Sequence, residues 1–502
     1  MLPFFKEARN YLEKTAIYAD GKSFTYADLV AESTFFAHKI LSANADLNGE
    51  RVAFMVNPGF HYVKTLWAIW LSGGVAVPLC ISHPLPSLEY VLEDTAASII
   101  VISPEYQNLL APYLEQSEIR VIVIDDQNEN TNEFVKEHIQ LPDVPLSSNA
   151  LILYTSGTTN KPKGVVTTHE NIIAQITTLI NAWQWDKNDN TICVLPLHHV
   201  HGIINVVCCS LWAGASCTFF SQFSPKAIFD AFENNAINIF MAVPTIYFKL
   251  MTYLESLNME EQLKLKSIMT QFRLMVCGSA ALPISVMKKW EALSGQILLE
   301  RYGMTELGMA ISNPYIGARK PGYVGLPLPG VDIKLVNEQY ENVNEGEAGE
   351  IIVKGKNVFL EYWNKPAATS EAFTKEGWFK TGDIAIIEDG YYRIMGRSSV
   401  DIIKSGGYKI SALEIEEVLR QYEYIEDCAV VGIPDEEWGE LIVAAIVLKE
   451  NVNFDEKELN NWIIQKMASY KKPRKYIIVA ELPRNAMGKV VKNEVKKIFE
   501  NK

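Results

Sequence analysis

Cysteine is scarce in this chain, seven in 502 residues, and no two form a C-x-x-C pair. That excludes a disulfide scaffold and a zinc ribbon, and predicts free thiols in a reducing compartment. Cys208 and Cys209 stand side by side in an apolar run and are predicted to be core. No apolar run reaches the ~18–20 residues of a membrane span. Residues 1–10 lack the long apolar region of a secretory signal. Positive charge is short as well: 46 Lys and Arg against 60 Asp and Glu leave a formal charge of −14. Neither nucleic acid nor a membrane is therefore expected as a partner, and an anionic small-molecule ligand needs a local basic site. The reading is a cytoplasmic protein.

What is present is a well-packed globule, 48% hydrophobic and 21% charged. Its length exceeds what one core supports, so two or more domains are expected. From about residue 24 to 330, apolar runs of strand length alternate with amphipathic runs of helix length. The runs at 51–55, 74–79, 97–102 and 120–124 are of the strand type. This alternation predicts an α/β architecture with mainly parallel sheets flanked by helices. From about 331 the texture changes: 331–336, 349–354 and 390–395 read as short strands between Gly- and Asp-rich turns, a β-rich subdomain. After Gly396 come helix, strand and helix signals with a basic tail, an α+β block.

Five segments carry chemistry. Thr155, Ser156, Gly157, Thr158 and Thr159, followed by Lys161, Lys163 and Gly164, combine hydroxyls, glycines and lysines in one loop. Such a loop offers N–H and O–H donors to a phosphate chain. The apolar run 150–154 before it predicts a strand with the loop at its carboxyl end, where open α/β sheets bind ligands. It is not the G-x-x-x-x-G-K-[ST] loop, since six residues separate Gly157 from Gly164 and Val165 follows; a solvated turn has similar composition. The second segment, Arg301, Tyr302, Gly303, Met304, Thr305 and Glu306, offers an aromatic ring for a purine and a carboxylate for Mg²⁺. A surface Arg–Glu pair would also look this way. Third, the run 378–383 closes a predicted strand with Asp383, the residue type that accepts from ribose hydroxyls. Fourth, the run 396–408, with Arg397 and the pair Gly406-Gly407 before Tyr408, reads as an interdomain junction or a hairpin. The fifth is Lys489, which alone would be a solvated charge.

In order and together, these segments resemble the adenylate-forming superfamily of acyl-CoA synthetases, luciferases and peptide adenylation domains. The resemblance spans about Tyr154 to Lys489 and implies two half-reactions: a carboxylate attacks MgATP to give an acyl-adenylate, and coenzyme A then displaces AMP. It implies a loop of Thr155, Ser156, Gly157, Thr158, Thr159 and Lys163 that holds ATP with Ser279, Ala280, Tyr302, Gly303, Met304, Thr305, Asp383 and Arg397. It gives Lys489, Thr305, Glu306 and Arg397 catalytic roles, Glu306 as the magnesium ligand, and Gly406, Gly407 and Tyr408 as the coenzyme A segment. It also implies an N-terminal domain over 1–396 and a mobile lid over 397–502. One departure is Ser399, where many members carry Asp or Lys, which leaves Ser399, Val400 or Asp401 as the pivot.

The substrate is read from His198, His199 and His201 and from Arg301. Three histidines within four residues invite a zinc reading, but adjacent positions rarely converge on one ion and no second His/Cys cluster accompanies them. With Arg301 and the run 278–282 they resemble instead the malonyl-CoA synthetase branch. There a guanidinium grips a second carboxylate, with His201 and His199 as further donors. The substrate implied is malonate, or methylmalonate, since one methyl group is worth only about 1–3 kcal/mol of discrimination. A medium-chain fatty-acid or aryl-acid CoA ligase, or a non-catalytic nucleotide-binding protein, are the alternatives.

Overall fold

The computed structural model describes residues 1–124, 140–155, 161–220, 222–450, 452, 454–485 and 488–500. Among these residues the strands form four sheets. The predicted strands appear as Arg51–Met55, Val75–Pro78, Ile99–Ile102 and Arg120–Val123. They pair in parallel in a seven-stranded sheet with the hairpin Asn149–Thr155 and Lys163–Thr168. A nine-stranded sheet has a parallel centre built from Asn190–Cys193, Ser216–Phe219, Ile239–Ala242, Leu274–Cys277 and Leu299–Met304.

Period-two alternation explains how the two large sheets stack. Val52 and Phe54 face the same core as Ile239 and Met241, together with the helices Phe60–Leu71 and His169–Trp183. The intervening Ala53 and Met55 face an outer layer against Leu85–Thr95, and Phe240 and Ala242 face another against Pro244–Ser256 and Ile284–Ser294. Phe60–Leu71 is buried nearly all round, which suits a helix between two sheets. All seven cysteines are buried and unbridged, Cys208 and Cys209 among them.

The β-rich stretch is an antiparallel sheet of Val331–Val336, Gly349–Gly355, Phe379–Glu388 and Tyr391–Arg397. Asp383 does not end its strand as the sequence suggests; it sits midway along Phe379–Glu388, directly opposite Arg397. From Ile402 the chain builds a separate sheet of Ile402–Ser405, Tyr408–Ser411, Ile425–Asp435, Gly439–Leu448 and Lys475–Ile478. Its two faces are covered separately, Cys428 and Val430 on one side and Ala429 and Val431 on the other. No helix among the described residues is long and apolar enough to cross a membrane.

Candidate active site

Three polar side chains meet near the carboxyl ends of the parallel strands of the larger sheet. Arg301 comes from Leu299–Met304. Ser279 follows Leu274–Cys277 and holds φ at +69°, a strained value for a residue with a Cβ. His201 opens a π-helix, His201–Cys208, a rare form that recurs at functional sites. Arg301 Nη2 donates to Ser279 Oγ at 3.2 Å, and Ser279 Oγ lies 3.1 Å from His201 Nδ1.

The guanidinium is 3% exposed, and burial lowers its pKa from 12.5 to about 10, so it stays charged at neutral pH. The adjacent Glu300 is raised to about 8 by burial and mostly keeps its proton, so it does not neutralise Arg301. Among the described residues, Arg301 Nε and His201 Nε2 are buried without a hydrogen-bond partner. Among the described residues no carboxylate forms an ion pair with Arg301. A buried cation in that condition is costly until an anion reaches it.

His201 and His199, expected as further donors beside Arg301, are held uncharged by their surroundings. Burial first, then Arg301, pushes the His201 ring well below its ordinary pKa; burial and His83 bring His199 down to about 4. Both are neutral at pH 7 in the free protein, so the charge of this cluster is that of Arg301. His199 packs on His198 with ring centroids 4.0 Å apart.

A second cluster joins Tyr302, Asp383 and Arg397. Arg397 donates through Nε to Asp383 Oδ1 at 3.0 Å and through Nη2 to Oδ2 at 3.3 Å, a two-point grip between cross-strand partners. Tyr302 donates its hydroxyl to the same carboxylate at 2.6 Å. The ring expected to face a purine is thus pinned at its polar tip. Arg397 N also donates to Asp401 Oδ2 at 3.0 Å, where the chain passes into the last sheet.

Thr305 and Glu306 occupy the turn between Leu299–Met304 and Gly308–Ser312. Glu306 is 6% exposed, and burial raises its pKa. It accepts at Oε1 from the Tyr362 hydroxyl at 2.9 Å, and among the described residues it has no ion-pair partner. The Tyr362 ring lies under Lys163, with Nζ 4.9 Å from its centroid. Lys163 faces Thr155 across the neck of the hairpin. Ser156, Gly157, Thr158 and Thr159 lie outside the described residues. Tyr362 escaped the sequence reading because a lone tyrosine in a two-residue strand carries no motif; only its placement beside Lys163 and Glu306 marks it.

The Lys489 loop rests on the helix Pro244–Ser256. Gly488 lies so close to Thr245, at the start of Pro244–Ser256, that a Cβ there would be 3.0 Å from its side chain. Asn485 closes the loop, its N donating to Lys489 O at 2.9 Å. Gly406 and Gly407, at φ +57° and +83°, make the tight turn of the Ile402–Ser405 and Tyr408–Ser411 hairpin, and Tyr408 stacks on Tyr470 at 4.6 Å. Tyr408 is 56% exposed.

A family profile described as AMP-binding enzyme matches residues 4–363, and one described as AMP-binding enzyme C-terminal domain matches 414–489. The chain belongs to the AMP-binding enzyme family. This AMP-binding enzyme is 43% identical to a protein of Xenopus laevis named malonate–CoA ligase ACSF3, mitochondrial, over 99% of this chain and 91% of that one. It is 39% identical to a malonate–CoA ligase of Arabidopsis thaliana, over 99% and 88%. ATP-bound MatB from Rhodopseudomonas palustris superposes with a TM-score of 0.90 at 32% identity, covering 100% of this chain and 99% of that one. The apo form of MatB gives 0.80 at 31% identity with the same coverage, so this enzyme's arrangement lies nearer the ATP-bound one.

Proposed function

We propose that this enzyme is an acid–thiol ligase that joins malonate to coenzyme A at the expense of ATP. The observation that carries the reading is Arg301: a buried guanidinium, charged, held by Ser279, with no carboxylate partner among the described residues. A monocarboxylate would leave that charge alone, whereas the second carboxylate of malonate meets it. The names of the relatives from Xenopus laevis and Arabidopsis thaliana support the same acid. Methylmalonate, one methyl larger, is a further substrate.

In the first half-reaction a malonate carboxylate oxygen attacks the α-phosphorus of ATP; the new O–P bond forms as the Pα–O–Pβ bond breaks and pyrophosphate leaves. The nucleophile is already an anion, so no general base is required, and the barrier lies in bringing anion to anion. Lys489 screens that approach, and Lys163 with Thr155, Ser156, Gly157, Thr158 and Thr159 holds the departing pyrophosphate. Tyr302, Gly303, Met304, Ser279 and Ala280 surround the adenine, and Asp383 with Arg397 meets the ribose. Thr305 lines the phosphates. Glu306, a buried carboxylate without an ion-pair partner among the described residues, suits Mg²⁺, which when bound neutralises phosphate charge. In the second half-reaction the coenzyme A sulfur attacks the acyl carbon, its S–H proton passing to solvent, and AMP leaves. The lid over 397–502 turns to bring Gly406, Gly407 and Tyr408 to the thiol channel, removing Lys489.

Pyrophosphate release over acetate, octanoate, benzoate, malonate and succinate, with and without coenzyme A, tests the reading. Malonate is expected to stand first and Arg301→Ala to abolish it by roughly 10⁴-fold in kcat/KM while the fold survives. A variant with unchanged malonate kinetics, or octanoate preferred by the native enzyme, would sink it.

A further inference from the structure

One short stretch, residues 359–363, touches both halves of the phosphate site. Leu360 N donates to Val166 O at 2.9 Å and Trp363 N to Gly164 O at 2.8 Å, which sews Glu361–Tyr362 onto the strand that begins at Lys163. Phe359 N donates to Glu306 O at 2.7 Å, which sews the same stretch onto the turn that carries Glu306. Tyr362 stands between them. It is 8% exposed, its backbone N donates to Thr369 Oγ1 at 2.9 Å, and its ring packs on Phe359 with centroids 4.8 Å apart.

We infer that Tyr362 is a positioning residue that fixes Glu306 and Lys163 relative to one another, so that the metal and the pyrophosphate end of ATP are met by a preset pair. Its hydroxyl donates to Glu306 Oε1 at 2.9 Å, while its ring face lies beneath Lys163 Nζ at 4.9 Å. One rigid aromatic thus holds an anion at its edge and a cation over its face, using the two separate polarities of a phenol. The hydroxyl bond to Oε1 restrains rotation of the carboxylate. The lysine begins a strand of the seven-stranded sheet and the glutamate lies in a turn of the nine-stranded one; the stretch 359–363 bridges the two backbones, and Tyr362 extends that bridge to the side-chain tips. Partners that hold a metal-binding side chain in this way typically change metal affinity about 10–100-fold when removed.

The inference rests on the proposed roles of Glu306 and Lys163, and the test separates the two. Mn²⁺ binding is followed by electron paramagnetic resonance in the presence of α,β-methylene ATP, for the native enzyme and for Tyr362→Phe, Tyr362→Leu and Glu306→Gln, each checked for folding by its melting curve. Tyr362→Phe keeps the ring and is expected to weaken Mn²⁺ by about 10-fold or more, with metal-free nucleotide affinity and the KM for malonate unchanged. Tyr362→Leu is expected to lose nucleotide affinity in addition, because Lys163 is released. If Glu306→Gln abolishes Mn²⁺ binding while Tyr362→Phe stays within twofold of the native enzyme, the tyrosine has no positioning role. If Glu306→Gln itself leaves Mn²⁺ binding intact, Glu306 is not the metal ligand and both statements fall.

Discussion

Gly278 lies directly against the guanidinium of Arg301: a Cβ on the glycine would stand 2.8 Å from Cζ and from Nη1. Contacts that short cannot persist, so Gly278→Ala must shift the buried guanidinium from its place beside Ser279. A displacement of about 1 Å in a gripping group costs on the order of 10²-fold. Malonate kcat/KM should fall by that order while the KM for ATP stays level, as measured by pyrophosphate release at varied concentrations of each. Equal losses for both substrates would mean that the alanine disturbs the fold rather than the grip.

The two half-reactions should separate by mutation. Lys489→Ala is expected to slow ATP–pyrophosphate exchange by roughly 10²–10³-fold, the size typical for one transition-state charge contact. The same variant should still transfer malonyl from supplied malonyl-adenylate to coenzyme A. Gly407→Val, at φ +83° in an otherwise open position, strains the hairpin turn and should do the reverse. A Lys489→Ala enzyme that fails equally with supplied adenylate would contradict the exchange of segments between steps.

Acid should loosen the protein through a histidine outside the site. His169 is 4% exposed, packs against Trp70, and burial brings its pKa from 6.5 down to about 4. The unfolded chain therefore binds a proton below pH 6.5 that the folded chain refuses until about pH 4. Stability is full above 6.5 and is lost as pH falls toward 4, by up to about 1.4 kcal/mol per pH unit. Melting temperatures recorded from pH 7 to 4.5 should slope less steeply for His169→Gln than for the native protein; parallel slopes would assign the acid sensitivity elsewhere.

Much of the fold was legible because parallel strands buried on both faces are unbroken apolar runs, as at 52–55 and 99–102. Arg301 was legible through its neighbours in the Tyr302 to Glu306 segment. The protonation state of His201 was not, since it depends on the depth at which two sheets bury it and on Arg301, 100 residues away. The π-helix was equally silent: His201–Cys208 is apolar apart from His201, Gly202 and Asn205, too short and mixed a run for periodicity to separate it from an α-helix or a strand. The cytoplasmic reading drew on residues 1–10 and on cysteine usage, features independent of the catalytic fold, and the relative from Xenopus laevis is named mitochondrial.

On the proposed role, the charge of Arg301, without an ion-pair partner among the described residues, has a meaning beyond selectivity. A folded state that carries an uncompensated buried cation gains more from its ligand than from contact area alone, and a ligand at 100 times its dissociation constant adds about 2.7 kcal/mol to stability. Malonate should raise the melting temperature by several degrees and acetate should not. In a cell, an enzyme stabilised this way should last longer when its acid is abundant and be cleared faster when the acid runs out, which would tie the stock of the catalyst to the supply of the acid.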